Sequence, residues 1–446
     1  MSRNGDAGRI WTSPPGRRGG TREPSRAPAA VIVAGLVVAG VAVFAMVAAT
    51  SSLQQDLAAY WIAGKARWLG LDPYVNHVAT VPRLWDGVSP YRHSRFLYPP
   101  LAAELFRLLA IVPYRFAKVA FTLAALAGWL LTARIVARRP GGRAEHALAV
   151  LIGGGLWFPL YFHLERGQID LLLMPLVLWA WLRRDRVLAP GAALALAAVF
   201  KPALLGALPV VVALGRWRWA AATLAFCGVA ALAGLVIGGP ALTRVYVTEV
   251  LPRAVAYGEG GTEEMLLHEG QLPLTDEDGE TAELEGVSYK IALQPFDGPA
   301  TASLPRRLSP RGPRWPTTVL PYPLVIAALA WAARRLPRAR EPGDAVVVDD
   351  PSFDDAQLMS FTAAILACVV TSPTGWVMSF VWALPIAPFV WASVARRRLR
   401  APLLPALSAA WLACALAPLL SGWAGVSGLA LVVFAAYAAD AWTDAT

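Results

Sequence analysis

Residues 29–49 read AAVIVAGLVVAGVAVFAMVAA, without one charged side chain. A helix of this length rises about 30 Å, the thickness of a bilayer's hydrocarbon core. The run exceeds the apolar segment of a secretory signal, so it reads as an uncleaved first membrane helix. Residues 1–28 before it are rich in Gly, Pro, Ser and Arg, the composition of a disordered cytoplasmic tail. Beyond it, apolar blocks recur at about 116–136, 147–164, 169–183, 188–200, 202–214, 219–238, 316–335, 356–372, 377–395, 402–420 and 426–440. The expected fold class is therefore an all-α polytopic membrane protein with about twelve transmembrane helices. Residues 29–445 would form one membrane domain.

Composition agrees. Of the 446 residues 57% are hydrophobic and 16% charged, against roughly 25% charged in soluble domains. That excludes a soluble enzyme, a secreted disulfide scaffold and a nucleic-acid-binding domain. The net charge of +10 comes from arginine clusters between apolar blocks, such as Arg134/Arg138/Arg139 and Arg396/Arg397/Arg398. Positive-inside topology accounts for them and places both termini in the cytoplasm. Cys227, Cys368 and Cys414 sit in apolar blocks without CxxC spacing, so they read as core residues. Scattered histidines without an HExxH pattern give no metal site, and Gly153-Gly154-Gly155 inside an apolar block reads as close helix packing. The blocks 188–200 and 202–214 are short, so a re-entrant hairpin tipped by Lys201-Pro202 is the alternative there.

Two long segments then fall on the outer side. Residues 51–115 hold an amphipathic stretch from Asp56 to Leu71 and an apolar run from Phe96 to Val112, expected at the interface. Residues 239–315 hold an insertion with ten acidic residues and no Lys or Arg between Glu259 and Ser288. A segment of that length is expected to be a small subdomain or a functional loop.

Four polar groups stand at the outer mouths of helices, where ionisable residues are costly and informative. Asp56, in Asp56-Leu57-Ala58-Ala59-Tyr60-Trp61, is a helix N-cap by residue type. A carboxylate beside aromatic rings at a membrane surface loses hydration and becomes a stronger proton acceptor, which suits a general base. In Phe96-Leu97-Tyr98-Pro99-Pro100 the paired prolines start a helix, and Tyr98 offers a ring to a sugar. The stretch His163-Leu164-Glu165-Arg166-Gly167-Gln168-Ile169-Asp170 is more polar than a plain turn requires. Arg166 suits a phosphate and Gln168 suits sugar hydroxyls. Lys201-Pro202 places an isolated cation at a helix break, where snorkelling and an anionic headgroup are the competing readings.

In order along the chain, Asp56…Tyr60, Gly70-Leu71-Asp72-Pro73-Tyr74, Tyr98-Pro99-Pro100, Gly167-Gln168, Lys201-Pro202 and Ser372-Pro373-Thr374-Gly375-Trp376 resemble glycosyltransferase family 87. The resemblance spans about residues 50–380. It implies a GT-C membrane fold and transfer of a sugar, chiefly mannose, from a polyprenyl-phosphate donor. It implies inversion at the anomeric carbon, with Asp56 as general base rather than cap. The substrate-binding residues it suggests are Tyr60, Tyr98, Glu165, Arg166, Gln168, Lys201 and Trp376. Arg92, Arg95, Arg115 and Lys118 are further cations for the leaving phosphate.

No cofactor beyond the lipid-phosphate sugar co-substrate is implied. The expected partners are that donor, a cell-envelope glycolipid or lipoglycan acceptor and membrane lipids, but no nucleic acid. The active site would face the extracytoplasmic side of the cell membrane. The chain departs from the family pattern in two places. Met378 and Ser379 follow Trp376 where a histidine is frequent, and Asp170 stands where Asn is usual. The competing readings are a transporter or flippase of lipid-linked sugars, a catalytically silent scaffold, and a transferase using arabinose or glucose.

Overall fold

A computed structural model describes residues 27–254, apart from 52–53, 76, 80–84, 87, 89–93, 95, 140–141 and 253. It also describes 327, 330, 351–371, 377–386 and 388. Residues 1–26 of the expected 1–28 tail, the acidic run, Cys414 and the blocks 402–420 and 426–440 lie outside the described residues. So do Trp376 and nearly all of 316–335. The described residues are mostly helical and contain no strand.

The first apolar block forms α1 (Ala27–Thr50). Its lipid-length partners are α4 (Tyr114–Arg138) and α10 (Trp217–Gly238). These three helices are long and apolar enough to cross a membrane. Val31, Ile32 and Leu36 on α1 and Val229, Leu232 and Val236 on α10 are exposed. Large apolar side chains turned outward along a whole helix suit lipid rather than water.

The block 147–164 is not one straight span. It divides into α5 (Ala144–Gly155) and α6 (Phe158–Arg166), bent by 69°. Trp157 is extended and Pro159 occupies the first turn of α6, so the α5 hydrogen-bond ladder cannot run through. A β-carbon on Gly155 would lie 2.1 Å from Val37 Cγ1, so the triple glycine does allow α5 to lie against α1.

After a tight turn at Gly167 come α7 (Asp170–Leu182) and α8 (Leu188–Phe200). The α8 helix ends where expected. Lys201 leaves the helical region with φ −140° and ψ 80°, and Pro202 opens a 3₁₀ turn (Pro202–Ala207) into α9 (Leu208–Ala213). Near the C-terminal end of the described chain, α12 (Pro351–Thr371) and a 3₁₀ segment (Val377–Ala383) close over α6, α7 and the Pro202–Ala207 turn. The intervening α11 (Pro240–Val245) follows α10 directly.

The segment between α1 and α4 folds as a cap. Helix α2 (Gln55–Trp68) packs on α3 (Pro100–Phe106), and Glu104 joins them by accepting from Arg67 Nε at 2.6 Å and Arg107 Nη1 at 3.0 Å. One expectation is corrected here. The α2 helix is buried almost all round from Asp56 to Ala66 instead of presenting one solvated face. The Phe96–Val112 run breaks into α3 and a 3₁₀ turn at Leu109–Ile111, because Pro99 and Pro100 start the helix late and seven residues complete it. Trp61 Nε1 donates to Val112 C=O at 3.0 Å, fastening the end of that run to α2.

Candidate functional site

The N-terminus of α2 meets the α6–α7 turn. Gln54 adopts the left-handed region, φ 68°, and so takes the place before the helix that Asp56 was expected to hold. The reason is local. Gln54 is stitched from three sides: its N–H donates to Glu165 C=O at 2.7 Å, and its Nε2 donates to Thr122 Oγ1 at 2.7 Å and to Leu164 C=O at 3.4 Å. Asp56 therefore falls in the first turn of α2, where the helix dipole favours negative charge. Its side chain turns away from its own helix.

Asp56 is 4% exposed, and its carboxylate meets several polar groups. Arg166 donates to it twice, from Nε to Oδ2 at 3.1 Å and from Nη2 to Oδ1 at 3.2 Å. Gln168 Nε2 donates to Oδ2 at 2.7 Å, and Ser94 Oγ donates to Oδ1. Arg166 also reaches Gln55 Oε1 at 2.7 Å and Ser94 Oγ at 3.1 Å. The α6–α7 turn can supply both donors because Gly167 turns left-handed, φ +69°, between them. A β-carbon there would lie 2.7 Å from Leu57 Cβ, so the turn sits directly on α2.

Gln168 is itself oriented. Tyr60 O–H donates to its Oε1 at 3.0 Å, which leaves its Nε2 facing Asp56. Since that one hydroxyl proton is committed, Tyr98 O–H must be the donor across the 2.8 Å contact with Tyr60. Tyr60 lies flat against Phe106 at 4.6 Å. Burial raises the Tyr60 hydroxyl well above the ordinary tyrosine range, helped by Tyr98 and the negative charges of Asp56 and Asp170. Burial likewise raises Tyr98, so both rings stay neutral donors near neutral pH.

A second cluster lies two residues further on. Asp170, fully buried, receives Lys201 Nζ at 2.6 Å on Oδ1 and 2.8 Å on Oδ2. Trp382 Nε1 donates to Oδ1 at 2.5 Å, and Lys201 also donates to Ser379 Oγ at 3.1 Å. His163 Nε2 accepts from Leu171 N–H at 3.4 Å, which places its proton on Nδ1, 3.9 Å from Asp170 Oδ2. The expectation of an isolated cation at Lys201 is thus corrected. A largely desolvated ammonium needs a counter-charge, and the carboxylate of Asp170 supplies it. Asp170 and Ser379, which fall at the two departures from the resemblance, both touch this lysine.

Among the residues singled out from sequence, Asp56, Tyr60, Tyr98, Arg166 and Gln168 come together in one hydrogen-bonded network. Lys201 belongs to the neighbouring cluster. Glu165 joins through its main-chain carbonyl, which accepts from Gln54 N–H. Arg115 is exposed and stacks over Phe116, while Lys118 donates to Ser51 C=O at 2.5 Å. Arg92 and Arg95 lie outside the described residues. Gln55, Ser94 and Trp382 were missed, and Ser379 was named only as a departure from the resemblance. An indole N–H in an apolar block needs a partner and was a usable signal; Ser94 carried none.

Comparison with curated proteins and with solved structures gives no match. Residues 96–272 match the family model of glycosyltransferase family 87, a stretch that holds Tyr98, Arg166, Gln168, Asp170 and Lys201 but begins after Asp56.

Proposed function

We propose that the protein is an inverting membrane glycosyltransferase. Its donor is a polyprenyl-phosphate sugar, with mannose as the first choice. Its acceptor is a cell-envelope glycolipid or lipoglycan, reached from the extracytoplasmic face. One observation carries the proposal: a buried carboxylate, Asp56, is held by Arg166 and Gln168 from inside the stretch that matches the transferase family.

In this reading the acceptor hydroxyl gives its proton to Asp56 as its oxygen bonds to C1 of the donor sugar. The C1–O bond to phosphate breaks on the opposite side, and the electron pair leaves with the polyprenyl phosphate. Attack from the face opposite the leaving group inverts C1, so a β-linked donor yields an α-linked product. The charges fit this sequence. Asp56 with Arg166 and Asp170 with Lys201 form two neutral pairs. Once Asp56 takes the proton, Arg166 is left with an uncompensated charge as negative charge grows on the leaving phosphate. No energy-coupling nucleotide is needed, because the phosphoester supplies the leaving group.

The test is incubation of membranes bearing the protein with radiolabelled polyprenyl-phosphate mannose and native lipid extract. New radiolabelled glycolipid supports the transferase. Donor that changes leaflet without chemical change identifies a flippase and contradicts it.

A further inference from the structure

The base of the proposed reaction is fully occupied. A carboxylate has about four lone-pair positions, and Asp56 uses four: Ser94 Oγ and Arg166 Nη2 on Oδ1, Arg166 Nε and Gln168 Nε2 on Oδ2. A sugar hydroxyl can reach this carboxylate only if one donor withdraws.

The four are not equally free to leave. Arg166 is a buried cation whose departure would strand two charges, and it is also tied to Gln55. Gln168 is buried, clamped by Tyr60 O–H on its other end, and set on a turn that Gly167 presses against Leu57. Ser94 Oγ is also held by Arg166 Nη2, but Ser94 differs in charge and in burial. It is uncharged and half-buried, and its main-chain N–H donates to Gln55 C=O at 3.1 Å. Its backbone can therefore stay while rotation about one side-chain bond carries the hydroxyl off the carboxylate.

Ser94 Oγ also has the hydrogen-bonding character that an acceptor needs. It donates to Asp56 Oδ1 and accepts from Arg166 Nη2. A sugar hydroxyl in the same place would have its proton on the base and its oxygen steadied by the guanidinium. We infer that Ser94 Oγ occupies the position of the acceptor's attacking hydroxyl, and that acceptor binding displaces it. Ser94 is a self-occupying group that sets acceptor affinity and keeps the base covered when no acceptor is present. This inference rests on Asp56 being the base.

The test compares wild type, Ser94→Ala, Ser94→Thr and Asp56→Asn in the transfer assay, with acceptor extract titrated at saturating donor. If Ser94 covers the base in most free molecules, removing it lowers the half-saturating acceptor concentration by about three- to tenfold. The half-saturating donor concentration stays within about twofold of wild type, while turnover at saturation changes by less than about tenfold. Ser94→Thr, which keeps a hydroxyl, returns the acceptor value toward wild type.

A Ser94→Ala enzyme indistinguishable from wild type overturns the inference. So does one slower by more than about tenfold at saturating acceptor, which would make Ser94 a residue that positions Asp56. In both cases wild-type transfer that Asp56→Asn abolishes leaves the transferase reading standing. Transfer retained in Asp56→Asn, or absent from wild type, overturns that reading and this inference with it.

Discussion

Arg166 grips Asp56 with two nitrogens of one guanidinium, Nε at 3.1 Å from Oδ2 and Nη2 at 3.2 Å from Oδ1. The two residues are 110 positions apart, so this fork helps to join α2 to the α6–α7 turn. A lysine cannot reproduce a planar two-pronged donor. Arg166→Lys is expected to reduce transfer about a hundredfold while the protein still folds. Arg166→Met leaves a buried carboxylate without its cation and is expected to cost about 3–5 kcal/mol of stability. Thermal melting in detergent separates the two outcomes.

Tyr60 acts on Asp56 at one remove, by orienting Gln168. Tyr60→Phe keeps the ring against Phe106 and removes only the hydroxyl. A net hydrogen bond of about 1 kcal/mol sets the expected loss at about five- to tenfold in turnover, with little change in melting. Tyr98→Phe, one hydrogen bond further out, is expected to lose less.

The same tyrosines predict an alkaline limit. Burial raises Tyr60, Tyr74 and Tyr98 above the usual value, and Tyr246 to about 12. In the unfolded chain these hydroxyls ionise near 10, so above that pH the unfolded state binds fewer protons than the folded one. Stability is thus fully present below about pH 10 and falls as pH rises toward the folded values. Tyrosinate absorbance from these residues is expected to appear together with unfolding, not before it.

Gly167 and Gly70 form a matched pair. Both have positive φ, +69° and +72°, but a β-carbon meets Leu57 only at Gly167 and nothing within 4 Å at Gly70. Gly70→Ala is expected to cost about 1–2 kcal/mol for the backbone alone. Gly167→Ala is expected to cost more and to displace Gln168 and Arg166 together, with loss of transfer. Melting and activity measured on both variants check the difference.

Lys201 and Asp170 are expected to behave as a unit. Lys201→Met leaves Asp170 buried and uncompensated, at a cost of about 3–5 kcal/mol. Adding Asp170→Asn to that variant should restore much of the stability, and a double-mutant cycle measures the coupling.

The membrane class was legible from residues 29–49 and from the composition, because lipid demands long uncharged helices and little else produces them. The break at Lys201-Pro202 was legible because proline acts locally. The bend between α5 and α6 was hidden, since Trp157 and Pro159 lie in a block that is apolar throughout. The polar stretch His163–Asp170 announced a site, but not that it serves two. Arg166 and Gln168 turn to Asp56 while Asp170 turns to Lys201 and Trp382, a division fixed by tertiary packing. Ser94 shows the limit most plainly, because a serine acquires its meaning only from the carboxylate that it meets.

The role proposed for Asp56 is to take the acceptor's proton. Its most direct test is single-turnover transfer by purified wild type and Asp56→Asn with radiolabelled polyprenyl-phosphate mannose and native acceptor extract. An amide keeps the size of the carboxylate and cannot accept that proton. Donor binding close to wild type with transfer slowed at least about a thousandfold is the predicted result. Transfer at the wild-type rate by Asp56→Asn would contradict the account.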